Sequence, residues 1–152
     1  MKTPISNSIH SLAGTPRRTL LEACLQAAGD TPSVFTKLYP EAARAAAAGA
    51  DAMRAANVAL TPLAGLPVSI KDLFDVAGET TLAGSTVLKD HAPATADAPV
   101  VQRLRASGAA IIGKTNMTEV AFSGVGINPH YVTPANPADR QIARIPGGSS
   151  SG

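Results

Sequence analysis

Apolar positions near the start of the chain recur at helical spacing. Leu20, Leu21, Ala23, Cys24, Ala27 and Ala28 fall on one face, which predicts a helix over Thr19 to Ala28. Gly29-Asp30-Thr31-Pro32 follows with residues that stop helices. Pro40 to Val58 predicts a second helix. Pro40 suits a first turn, Glu41 favours the positive helix end, and alanine fills the interior, weakened locally by Gly49. The pattern then changes. Leu66 to Ile70 is a short apolar run after Gly65, read as a strand leading into Lys71. Asp97 to Ser107 predicts a helix capped by Asp97, with Val100, Val101 and Leu104 on one face and Gly108 as its stop. Ala109 to Ile112 reads as a buried strand, and Thr118 to Phe122 as the start of a helix capped by Thr115 or Asn116. From Ser123 onward Gly, Pro, Asn and Ser dominate, and a long irregular segment of this kind carries function. Helix, strand, helix, strand predicts the α/β class.

Composition narrows the function classes. With 45% apolar residues in 152, one domain has enough material for a core, aliphatic and alanine-rich because aromatics make up only 3%. The net charge is +2 and the 13 basic residues are scattered, so no nucleic-acid or membrane-surface partner is expected. A single cysteine, Cys24, excludes an internal disulfide framework and reads as a small apolar helix residue. Met1 to Thr19 lacks the pattern of a secretory signal, and no stretch approaches the ~18 apolar residues of a membrane span. A soluble, cytoplasmic protein is expected, with residues 1–18 poorly ordered.

Several motifs invite chemistry. Gly108-Ala109-Ala110-Ile111-Ile112-Gly113-Lys114-Thr115 satisfies the Walker A pattern. A phosphate loop follows a strand and opens a helix, whereas here a helix precedes and the inner residues ask for burial. The expected arrangement is a helix, a glycine stop, a buried strand and a glycine turn. Asn116-Met117-Thr118 fits a glycosylation sequon, idle without a secretory signal. His10, His91 and His130 lack ligand spacing, so neither metal nor cofactor is called for. Lys71 sits in an apolar run, where a lysine of depressed pKa acts as a base toward a serine hydroxyl; it also reads as an exposed lysine paired with Asp72 or Asp75. Gly147-Gly148-Ser149-Ser150-Ser151-Gly152 reads either as a tight turn or as a flexible linker.

The segment Pro62 to Asp72, then Gly84-Ser85, Gly113 to Glu119, Asn136-Pro137 and Pro146 to Gly152 follow one another in an order that resembles the amidase signature family. The resemblance covers about Pro40 to Gly152. It implies a mixed sheet flanked by helices, incomplete in this chain, and an amide-bond hydrolase with a Ser–cis-Ser–Lys triad. Lys71 and Ser149 take the places of the lysine and the cis-serine, with a cis peptide between Gly148 and Ser149. The family's nucleophilic serine lies downstream of the glycine-serine tract. The 152 residues are therefore expected to be the N-terminal part of one such domain and to be inactive alone. The implied partner is a small-molecule amide. Alternatives are the glutaminase subunit of a tRNA-dependent amidotransferase, a non-catalytic remnant or interaction module, and nucleotide binding at 108–115. One departure stands out: Val132 occupies a loop position where relatives tend to have glycine, and would be strained if the site needs positive φ.

Overall fold

A computed structural model describes residues 14–139 and 141–152. The expectation for residues 1–18 falls, over 1–13, outside the described residues; Arg17 and Arg18 already belong to the first helix. In chain order the elements are α1 (Arg17–Asp30), β1 (Phe35–Leu38), α2 (Pro40–Ala55), β2 (Pro67–Lys71), α3 (Pro99–Ala106) and β3 (Ala110–Thr115). A short 3-10 turn, Glu119–Ala121, follows. The three strands form one mixed sheet in the order β1-β3-β2, with β1 antiparallel and β2 parallel to β3. Helix, strand and mixed sheet give the α/β class expected from the apolar pattern.

Two apolar clusters hold the layers together. Leu21, Ala43 and Ala47 of α1 and α2 pack on Ala110 and Ile112 of β3. Alanine is what lets α2 lie close to the sheet. Ile70, Val76, Val101 and Ile111 form the second cluster, where α3 is seated. Cys24 is half-buried beside the first cluster, and burial pushes its thiol up, away from the reactive thiolate.

Three local expectations need correction, and one strand lies outside them. Strand β1 has no counterpart in the sequence reading. Strand β3 does not end in a glycine turn: it runs through Gly113 to Thr115, because a side chain at 113 would collide with the Lys37 carbonyl of β1. The Asp97 carboxylate does not cap α3; it accepts from the Ala77 N–H at 2.8 Å and from Arg105 at 2.8 Å, and Ala98 takes the cap position. Thr118 to Phe122 forms only the 3-10 turn, and neither Thr115 nor Asn116 caps it. Val120 and Ala121 adopt φ of 44° and 59°, left-handed values that stop a helix of L-residues.

Candidate active site

Strand β2 delivers Lys71 to the end of the sheet. Its Cα lies opposite Thr115 of β3, and the Asp72 N–H continues the ladder to the Thr115 carbonyl at 3.1 Å. The glycine-serine tract reaches the same end from the far terminus. Met117 and Ser150 form an antiparallel bridge, the Thr118 N–H donates to the Ser149 carbonyl at 2.9 Å, and the Ser151 and Gly152 N–H groups both donate to the Asn116 carbonyl. The tract is thus a docked strand-like segment rather than a free linker. A Cβ at Gly148 would stand 2.7 Å from the Gly126 nitrogen, so only glycine lets the chain pass there. The Gly148–Ser149 peptide is cis, as the resemblance implied.

These constraints bring the two expected site residues together. Lys71 Nζ donates to Ser149 Oγ at 2.6 Å, across 78 residues of sequence. The pairing of Lys71 with Asp72 or Asp75 does not form. Asp72 instead faces Lys114 Nζ at 2.8 Å, and Asp75 accepts from the Thr81 hydroxyl at 2.6 Å. Lys114 is 2% exposed and Asp72 fully buried. Neither Asp72 oxygen accepts an aligned hydrogen bond among the described residues, so their attraction is Coulombic. Burial of Lys114 inside a strand also removes the side chain a Walker loop would offer to phosphate.

Three loops close over this end of the sheet. Asn128 donates through Nδ2 to the Gly84 carbonyl at 2.8 Å and the Met117 carbonyl at 2.6 Å, while its Oδ1 accepts the N–H groups of His130 and Tyr131. Asn116 donates to the Ser33 and Val132 carbonyls. Val132 is absent from the positive-φ residues, so its β-branched side chain is accommodated without a left-handed backbone. Glu119 accepts from the Ser85 hydroxyl at 2.7 Å and meets His130 Nε2 at 2.9 Å. The sequence reading assigned no role to Asn128, Glu119 or His130. Asn128 and His130 lie in the irregular segment after Ser123, and Glu119 closes the Gly113 to Glu119 motif.

The Ser85 hydroxyl, then His130, holds the Glu119 carboxyl below its ordinary range. A depressed folded pKa stabilises the fold above the unfolded value of about 4.3, and that contribution is lost as pH falls through the lower folded value. Thermal midpoints of wild type and Glu119→Gln should therefore differ near pH 6 and converge on acidification below about pH 4. A difference that grew on acidification would contradict this assignment.

A lysine amine bonded to a serine hydroxyl thus stands at the end of a mixed sheet, beside a docked glycine-serine segment. The Amidase family model matches residues 19–152, and the chain belongs to this amidase signature family. It is 45% identical over 141 residues to the AtzE component of 1-carboxybiuret hydrolase from Pseudomonas sp. (strain ADP), covering 91% of this chain and 30% of that protein. It is 43% identical over 136 residues to a subunit of the glutamyl-tRNA(Gln) amidotransferase of Chloroflexus aggregans (strain MD-66 / DSM 9485), covering 88% of this chain and 27% of that protein. Among solved structures, the native peptide amidase from Stenotrophomonas maltophilia is similar with a TM-score of 0.76 at 33% identity, covering 95% of this chain and 31% of that one. A vestigial complex described as revealing the origins of an s-triazine catabolic enzyme is similar with a TM-score of 0.86 at 43% identity, covering 99% of this chain and 33% of that one. The chain thus spans about 30% of the length of the curated relatives it matches. Among the described residues no helix is long and apolar enough to cross a membrane.

Proposed function

We propose that Lys71 and Ser149 are the base and the relay of a cytoplasmic amide hydrolase working through an acyl-enzyme, with a nucleophilic serine supplied from outside these 152 residues. The observation that carries this reading is the 2.6 Å contact between Lys71 Nζ and Ser149 Oγ. In its neutral form Lys71 takes the Ser149 proton while Ser149 takes the proton of the nucleophile. The freed serine oxygen attacks the carbonyl of a small-molecule amide. Collapse of the tetrahedral intermediate breaks the C–N bond, and the amine leaves with the proton returned through Ser149. Water then cleaves the ester by the same route.

Identity to the amidotransferase component favours a second reading, in which the same steps release ammonia from glutamine. Ammonia assays on the complete enzyme with glutamine and with simple primary amides separate the two, since a dedicated glutaminase turns over only the first. A polypeptide of residues 1–152 alone should release no ammonia above background from either. Steady turnover by that polypeptide, lost on Ser150→Ala or Ser151→Ala, would place the nucleophile within it and overturn the assignment.

A further inference from the structure

Glu119 lies outside the lysine–serine pair, yet its carboxylate oxygen is where two loops meet. The Ser85 hydroxyl reaches it from the 83–85 loop and His130 from the 128–131 loop. Ser85 is 3% exposed, so this anchor is fixed in the interior. The neighbours of Glu119 on either side are the informative part. Thr118 gives its N–H to the Ser149 carbonyl at 2.9 Å. Val120 gives its N–H to the Ala83 carbonyl at 2.8 Å, from a left-handed φ of 44°. Two consecutive left-handed residues without glycine are costly and persist only where their surroundings over-determine them. The Ser85–Glu119–His130 clasp supplies one such constraint, next to the peptide that holds Ser149.

We propose that Glu119 is a positioning residue: through Thr118 it fixes Ser149 at hydrogen-bonding distance from Lys71. The proposal rests on the base-and-relay reading. Both Ser85 and His130 bond to the same Glu119 oxygen, and no hydrogen bond joins Ser85 to His130 among the described residues, so the cluster is a clamp rather than a second nucleophile with its base. Loss of the clamp should let the 118–121 turn relax and Ser149 drift from Lys71. Misplacement of a catalytic group by about 1 Å costs up to about 10²-fold in rate.

The test uses the complete enzyme and a simple primary amide, with ammonia release as the readout. Glu119→Ala should lower kcat by about 10²-fold with KM nearly unchanged. Glu119→Gln, which keeps an oxygen for the Ser85 hydroxyl, should restore most of kcat. Hydrogen exchange at the Thr118 amide should speed up in Glu119→Ala and recover in Glu119→Gln. Should Glu119→Ala fail to fold, the paired variants Ser85→Ala and His130→Ala remove one arm each and should lower kcat in smaller steps. Unchanged kcat in a folded Glu119→Ala, a loss confined to KM, or unchanged kcat in both single-arm variants would overturn the proposal. That failure is distinct from failure of the underlying reading, which would show as full turnover in Lys71→Ala.

Discussion

Replacing Lys71 with alanine in the complete enzyme should abolish amide hydrolysis, and Ser149→Ala should reduce it strongly. Removal of a general base costs about 10²–10⁴-fold in rate, and more where groups act as a unit. Here one amine and one hydroxyl lie 2.6 Å apart, each held by its own backbone pairing. Neither residue is deep in the core, both being half-buried, so neither alanine variant opens a large cavity. Loss of turnover with an unshifted thermal midpoint is therefore the expected outcome. Turnover by Lys71→Ala at the wild-type rate would remove the assignment.

The second large effect concerns stability. Lys114→Met should destabilise the fold by about 3–5 kcal/mol, because it strands a buried carboxylate by removing its countercharge. Asp72 is fully buried and accepts no aligned hydrogen bond among the described residues, so nothing else there compensates its charge. The double variant Asp72→Asn/Lys114→Met removes both charges and should regain most of the loss, since a buried pair is often no better than uncharged residues of similar volume. Urea unfolding of the two variants measures this. A Lys114→Met protein as stable as wild type, or a double variant as unstable as the single one, would show that the pair is not the buried charge unit described.

Much of the layered fold could be read from apolar spacing. The two alanine-rich and leucine-bearing helices and the runs ending at Lys71 and Ile112 were legible because burial sorts residues by face. Strand β1 was not, because Phe35-Thr36-Lys37-Leu38 is four residues long, short for a periodic signal. The end of β3 was hidden for a different reason. Gly113 and Lys114 look like a turn and an exposed charge, but one is there for backbone approach to β1 and the other for Asp72, and both partners are distant in sequence. Asp97 matches a cap by its position, yet its carboxylate is claimed by Ala77 across a loop and by Arg105 of α3 itself. Lys71 stands out as a candidate base by its apolar run, whereas Ser149 and its pairing with Lys71 come from the family resemblance. Residue types alone left a surface ion pair and a flexible linker open. The clasp at Glu119 needed coordinates, since three separate loops build it.

In the proposed mechanism Lys71 and Ser149 move a proton as a unit. A double-mutant cycle on kcat/KM of the complete enzyme, with Lys71→Ala, Ser149→Ala and both together, tests it most directly. If the two act in series, the double variant falls little below the more damaged single variant, as expected for residues that work together. If their costs multiply, the two side chains act independently, and the 2.6 Å contact is not the proton path.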